Sequence, residues 1–221
     1  LANTTASYND ALGSRALESN TTGAGNVSVG YYSLNTNTTG GYNTALGGEA
    51  LRNNSTGDEN TAVGANALDT NSTGDQNVAV GFKALDANTT GEKNVAVGAL
   101  ALDANTTGSK NTAIGQEALT KNTTASNNTS IGHYSMGSNT TGANNVAVGY
   151  YALDANTTAS DLTAIGTGSL GANTTGSRNS AVGSGALANN TTGDYNTACG
   201  YESLEANTTA SNNVAVGKNA L

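Results

Sequence analysis

Hydrophobic and polar positions return along this chain at one fixed interval. Residues 86–102, Asp-Ala-Asn-Thr-Thr-Gly-Glu-Lys-Asn-Val-Ala-Val-Gly-Ala-Leu-Ala-Leu, form one unit, and the same pattern recurs every 17 residues from residue 1 to residue 221. Thirteen units fill the 221 residues without insertion or deletion, so the repeat is weighed before any count of ordinary domains. Numbering the unit's positions as columns one to seventeen allows each position to be read through every copy.

Column seventeen is Leu in twelve units and Met136 in the other, while column twelve holds only Val, Ile, Leu or Cys199. These two columns are the expected core. The apolar stretch around column twelve is three residues long, alternates as in Val95-Ala96-Val97, and stops at the Gly that occupies column thirteen in every unit. Such a stretch predicts a short strand. A 17-residue unit carrying several turn formers leaves no room for a helix of useful length. The predicted fold is therefore all-β, a parallel β-solenoid or β-roll with one coil per repeat. With strands stacked about 4.8 Å apart, thirteen coils would extend about 60 Å.

Several polar columns are as regular as the apolar ones. Column three is Asn and column five is Thr in every unit, column nine is Asn except at Leu162, and column six is Gly or Ala. Asn and Gly at columns nine and six suit turns and left-handed backbone. Columns three and five are expected to stack as Asn and Thr ladders. This gives the Asn-Thr-Thr motif a structural meaning although each copy also matches an N-glycosylation acceptor, since glycans on residues about 4.8 Å apart would collide. Columns eleven and sixteen hold only Ala or Ser, too restricted for a solvent-facing position. They are expected to pack closely against something, and a neighbouring copy of the chain is the simplest source. Columns one, two, seven, eight, fourteen and fifteen vary freely and read as exposed.

Composition changes this picture little. Gly is abundant at 29 residues, Pro and Trp are absent, and charged residues make up 11%, so the volume of an ordinary globular core is lacking. Disorder, the usual reading of so polar a chain, does not account for a strict apolar register. A net charge of −8 without Lys or Arg clusters makes nucleic acid and anionic membrane poor partners. No stretch approaches the length of a membrane span. One cysteine excludes an internal disulfide. The opening Leu1 and the lack of atypical end repeats are read as those of a segment of a longer fibre protein, residues 1–221 forming a single array.

The segments Asn94-Val95-Ala96-Val97-Gly98, Asn111-Thr112-Ala113-Ile114-Gly115 and Asn145-Val146-Ala147-Val148-Gly149 resemble the head repeats of trimeric autotransporter (YadA-like) adhesins. That resemblance implies a left-handed parallel β-roll in which three chains pack side by side. The family's usual unit is shorter, and the added Leu-x-x-Asn-Thr-Thr-Gly portion is similar to repeats of phage tail fibres and of bacterial surface fibre proteins. The expected function is a non-catalytic structural or adhesive segment of an extracellular fibre, on a cell surface or a virion, acting as shaft or head. The alternative reading is a monomeric ice-binding β-solenoid, against which adjacent Thr4 and Thr5 would point to opposite faces.

Candidate chemistry is sparse. No catalytic residue, metal site or cofactor is expected, because acids are spread along columns and no unit departs into a special loop. His133 reads as exposed surface, and Cys199 as a small apolar core residue. Recurring acids in columns one and seven read as solvated, with calcium the rival. All ten aromatics fall in columns eight, fourteen and fifteen. Of these Tyr31, Tyr32, Phe82, Tyr134, Tyr150, Tyr151 and Tyr201 form the candidate contact surface for a cell-surface glycan or protein receptor, beside the homotrimeric partner copies.

Overall fold

The computed structural model describes residues 5–221; Asn3 and Thr4 of the first repeat lie outside the described residues. The chain divides after Lys110 into two compact units. The first carries β1 (Asp10–Leu12), β2 (Val27–Val29), β3 (Thr44–Leu46), β4 (Thr61–Val63), β5 (Val78–Val80) and β6 (Val95–Val97). The second carries β7 (Thr112–Ile114), β8 (Thr129–Ile131), β9 (Val146–Val148), β10 (Thr163–Ile165), β11 (Ser180–Val182), β12 (Thr197–Cys199) and β13 (Val214–Val216). Each is the predicted three-residue strand on columns ten to twelve, and no helix occurs among the described residues.

Within each unit consecutive strands pair in parallel and in chain order. Register is offset by one repeat, as in Val78↔Val95 and Thr129↔Val146. Both units are parallel β-solenoids with one 17-residue coil per repeat. Alternate side chains of a strand face opposite ways, and here the middle residue faces inward. Column-eleven Ala45, Ala62, Ala79, Ala147 and Ala164 are wholly buried.

The core differs from expectation in one respect. Column seventeen lies inside, with Leu34, Leu85, Leu153 and Met136 at 0% exposure, but column twelve does not. Val29, Leu46, Ile114, Ile131, Ile165 and Val182 point outward, exposed between 36% and 42%, and Cys199 in the same column is exposed and not a core residue. Columns eleven and sixteen are buried as expected, yet against their own coil and not against another chain. A typical middle coil buries one column-seventeen Leu and two Asn, and columns eleven and sixteen add only Ala or Ser. Where Ser replaces Ala its hydroxyl is satisfied, Ser28 Oγ lying 2.6 Å from Ser33 Oγ and Ser130 Oγ donating to the Ser135 carbonyl at 2.7 Å, as a buried hydroxyl requires.

Two Asn ladders knit the coils. Column-three Asn54, Asn71 and Asn88 each donate Nδ2 to the Asn Oδ1 of the preceding coil at 2.8–2.9 Å and to the column-six carbonyl of their own coil. Column-nine Asn side chains accept the backbone N–H of the next column-nine residue, as Asn43 Oδ1 does from Asn60 at 2.9 Å. They also donate to the next coil's column-six carbonyl, as Asn60 does to Gly74 at 2.8 Å. Both columns are wholly buried through the middle coils, leaving no space for a glycan on the column-three amide. The expected Thr ladder is shifted by one position. Column-four hydroxyls donate to the column-four carbonyl of the next coil, Thr38 to Ser55 at 3.0 Å and Ser72 to Thr89 at 2.9 Å, whereas column-five Thr side chains are exposed and none makes a hydrogen bond among the described residues. Nothing in the structure explains the constancy of column five.

Left-handed backbone also falls elsewhere than at columns six and nine. It occurs at columns eight, fifteen and seventeen, including Leu85 (φ 56°), Tyr151 (φ 53°) and Leu153 (φ 55°), and at the column-thirteen glycines, such as Gly132 (φ 132°). A Cβ on Gly132 would also sit 2.5 Å from the Gly149 carbonyl oxygen, so conformation and close approach both demand glycine there. A left-handed Leu costs about 1–2 kcal/mol, which full burial of the side chain, about 1.5–3 kcal/mol, offsets.

Candidate interaction surfaces

The first surface is the outer face of the strands. In each unit columns ten and twelve present two rows on the outer face of a parallel sheet. In the second unit these are Thr112, Thr129, Val146 and Thr163 beside Ile114, Ile131, Val148 and Ile165. All eight are exposed or half-buried, while Ala113, Ser130, Ala147 and Ala164 between them are buried. The inside–outside alternation is thus inverted in size, with large apolar groups outside and small ones inside.

The second surface consists of the aromatic columns. Tyr31 and Tyr32 meet edge to face at 4.3 Å, and the Arg15 guanidinium sits 5.2 Å from the centre of the Tyr32 ring. A hydrogen bond with Tyr32 raises the Tyr31 pKa above the ordinary phenol value. Phe82 has the Lys83 ammonium at 6.0 Å and Tyr201 has that of Lys218 at 5.6 Å, both cation–π separations. The carboxylate of Glu202 raises the Tyr201 hydroxyl pKa by hydrogen bonding.

Tyr134, Tyr150 and Tyr151 are brought together with His133 in a four-ring cluster. Tyr134 stacks on Tyr151 at 5.4 Å and His133 on Tyr150 at 5.6 Å, and edge contacts of 4.4–4.6 Å join the two stacks. His133 is therefore half-buried among rings, with Nδ1 shielded from solvent and without a hydrogen-bond partner, contrary to the exposed position expected. Hydrogen bonding to Glu117 raises the Tyr134 pKa, and burial raises those of Tyr151 and Asp154. The cluster walls a cleft of about 400 Å³ whose other sides are Glu117, Thr120, Lys121, Gly137, Ser138 and Asp154. Of these six only Asp154 stood out in sequence, as one of the recurring column-one acids read as solvated. Their columns, fifteen, one and two, lie within five consecutive residues of the chain, and stacking of successive coils sets residues 117–121, 134–138 and 151–154 side by side.

Acids in column seven accept backbone N–H groups of the preceding coil, Asp58 from Gly41 at 2.7 Å and Asp75 from Asp58 at 2.8 Å. Among the described residues no three His, Cys, Asp or Glu side chains are grouped to hold a metal ion, and no helix is long and apolar enough to cross a membrane. No family model, curated protein or solved structure matches the chain.

Proposed function

We propose that this chain is a non-catalytic structural or adhesive segment of an extracellular fibre, and that it associates with copies of itself, three by the YadA-like resemblance, through the outer strand face. The observation that carries the reading is the pair of rows formed by columns ten and twelve. An exposed stripe of aliphatic and Thr side chains along a sheet marks an interaction surface, and most rungs pair Thr or Val in column ten with Val, Ile or Leu in column twelve, so a second copy offers a like surface along its length. The Ala and Ser columns, first expected to form this contact, lie inside the coil.

Light scattering on the intact protein tests the reading, since one chain is 21.8 kDa and a trimer three times that. Replacing Ile131 and Val148 by Lys should reduce the mass to that of one chain. A monomeric wild type would overturn it.

The same rows favour a second reading. A regular array of Thr and aliphatic side chains with rungs about 4.8 Å apart is the kind of surface an ice-binding solenoid would present, on columns ten and twelve and not on the Asn-Thr-Thr motif. Thermal hysteresis from a monomeric protein would establish it, and unaltered ice growth would exclude it.

A further inference from the structure

The cleft beside the four-ring cluster has the chemistry of a sugar site. We infer that it binds a neutral pyranose unit of an oligosaccharide, laid against Tyr134 and Tyr151 and hydrogen-bonded by Glu117, Asp154 and Lys121. This goes beyond the fibre reading and does not depend on self-association.

The polar groups identify the class of ligand. Glu117 and Asp154 only accept hydrogen bonds when ionised, Lys121 only donates, and Thr120 and Ser138 can do both. A polyhydroxylated ring, each hydroxyl of which donates and accepts, matches so mixed a set. A cation would face Lys121, and an anion would face two carboxylates. The Asp154 carboxyl lines the cleft and is partly desolvated by burial, so a ligand hydroxyl donating to it would replace water that burial has removed.

The aromatic wall supplies the apolar half of the contact. At Tyr32, Phe82 and Tyr201 a cationic side chain already lies over the ring, whereas among the described residues none lies over Tyr134, Tyr150 or Tyr151. The next residue in the column of Tyr151 is Gly168, where an added Cβ would meet nothing within 4 Å, so the ladder of rings ends in open space. Contacts among the four rings hold Tyr134 and Tyr151 in place before a ligand arrives, which lowers the ordering cost of binding. Gly137 keeps the cleft open. It occupies the column that holds Asp in four other coils, and a Cβ there would press on the Tyr134 ring at 3.2 Å.

The test is saturation-transfer NMR on the intact protein with maltose, lactose and cellobiose, and with choline as a cationic probe. Two variants use residues that other coils already carry in the same columns: Tyr151→Leu, as at Leu100, and Gly137→Asp, as at Asp86. Tyr42→Gln, as at Gln76, removes an exposed aromatic ring that lies outside the candidate contact surface and serves as control, and thermal melts confirm that all three fold. Transfer to at least one disaccharide is expected in the wild type and in the control, with affinity weakened about tenfold in Tyr151→Leu and Gly137→Asp. The inference is overturned if no disaccharide receives transfer, if transfer persists undiminished in either cleft variant, or if choline alone binds.

Discussion

The two sides of each strand obey opposite rules. Inside, column eleven admits only Ala or Ser and is buried from β2 onward; outside, columns ten and twelve carry mostly Val, Ile, Leu and Thr and stay in contact with water. The difference shows that volume and not hydrophobicity sorts residues in this coil. The interior takes a Leu or Met from column seventeen, set there by left-handed backbone, and the side chains that columns eleven and sixteen add beside it are small. Protein interiors tolerate neither voids nor excess methylenes, so the invariant small residue marks the inside and the variable large one the outside.

The sharpest test of that contrast enlarges the inside. Ala147→Leu in β9 has no space to enter, and a loss of about 3 kcal/mol in urea unfolding is expected. Its neighbour Val148→Ala on the outer face should cost less than about 0.5 kcal/mol in the dissociated protein. Equal losses at the two sites would break the comparison. Next in size is Asn88→Leu, which removes an amide donating to Asn71 Oδ1 at 2.8 Å and accepting from Asn105 at 2.9 Å. Leaving those buried partners unsatisfied should cost about 2 kcal/mol by the same measurement.

A natural version of that change already exists. Leu162 is the only column-nine residue that is not Asn. Its own N–H still donates to Asn145 Oδ1 at 3.0 Å, but its side chain offers no acceptor to the N–H of Asn179 in the next coil. Leu162→Asn should restore that bond and stabilise the second unit by about 1 kcal/mol, read as a higher melting temperature.

The smallest effect concerns pH. Burial raises the pKa of Asp69 despite the Arg52 guanidinium 2.8 Å away. A carboxyl whose folded pKa lies above its unfolded value binds its proton more tightly when folded. Its contribution is therefore fully present below the unfolded pKa and is lost as pH rises through the folded pKa. Asp69→Asn should flatten this part of the stability profile between acid and neutral pH; a steeper profile would show that the Arg52 pairing dominates.

Much of this architecture was legible in the sequence. The 17-residue period, the parallel coil, the strand at columns ten to twelve and the column-three Asn ladder follow from which residue recurs where. Column twelve was misplaced because the rule that apolar residues lie inside presupposes a core wide enough for them. The restriction of column eleven to Ala and Ser signals burial without saying what covers it. The tyrosines of the cleft were visible as members of variable columns. Asp154 was visible only as one of the recurring column-one acids, and Glu117 and Lys121 did not stand out, since a cleft forms here only because bulky rings at Tyr134 and Tyr151 flank Gly137 in successive coils.

The ladders also bear on heredity. Every bond between coils joins residues one repeat apart or nearly so, which makes the loss or gain of a single codon far worse than that of a whole unit. One extra residue displaces the amide ladders, the column-thirteen glycine and the buried Leu together, whereas duplication of a complete unit leaves every neighbour facing the residue types it faced before. Unequal recombination between such similar stretches of gene can therefore lengthen or shorten the array in whole coils without disturbing how any coil folds, and the variable columns are then free to diverge copy by copy into different surfaces.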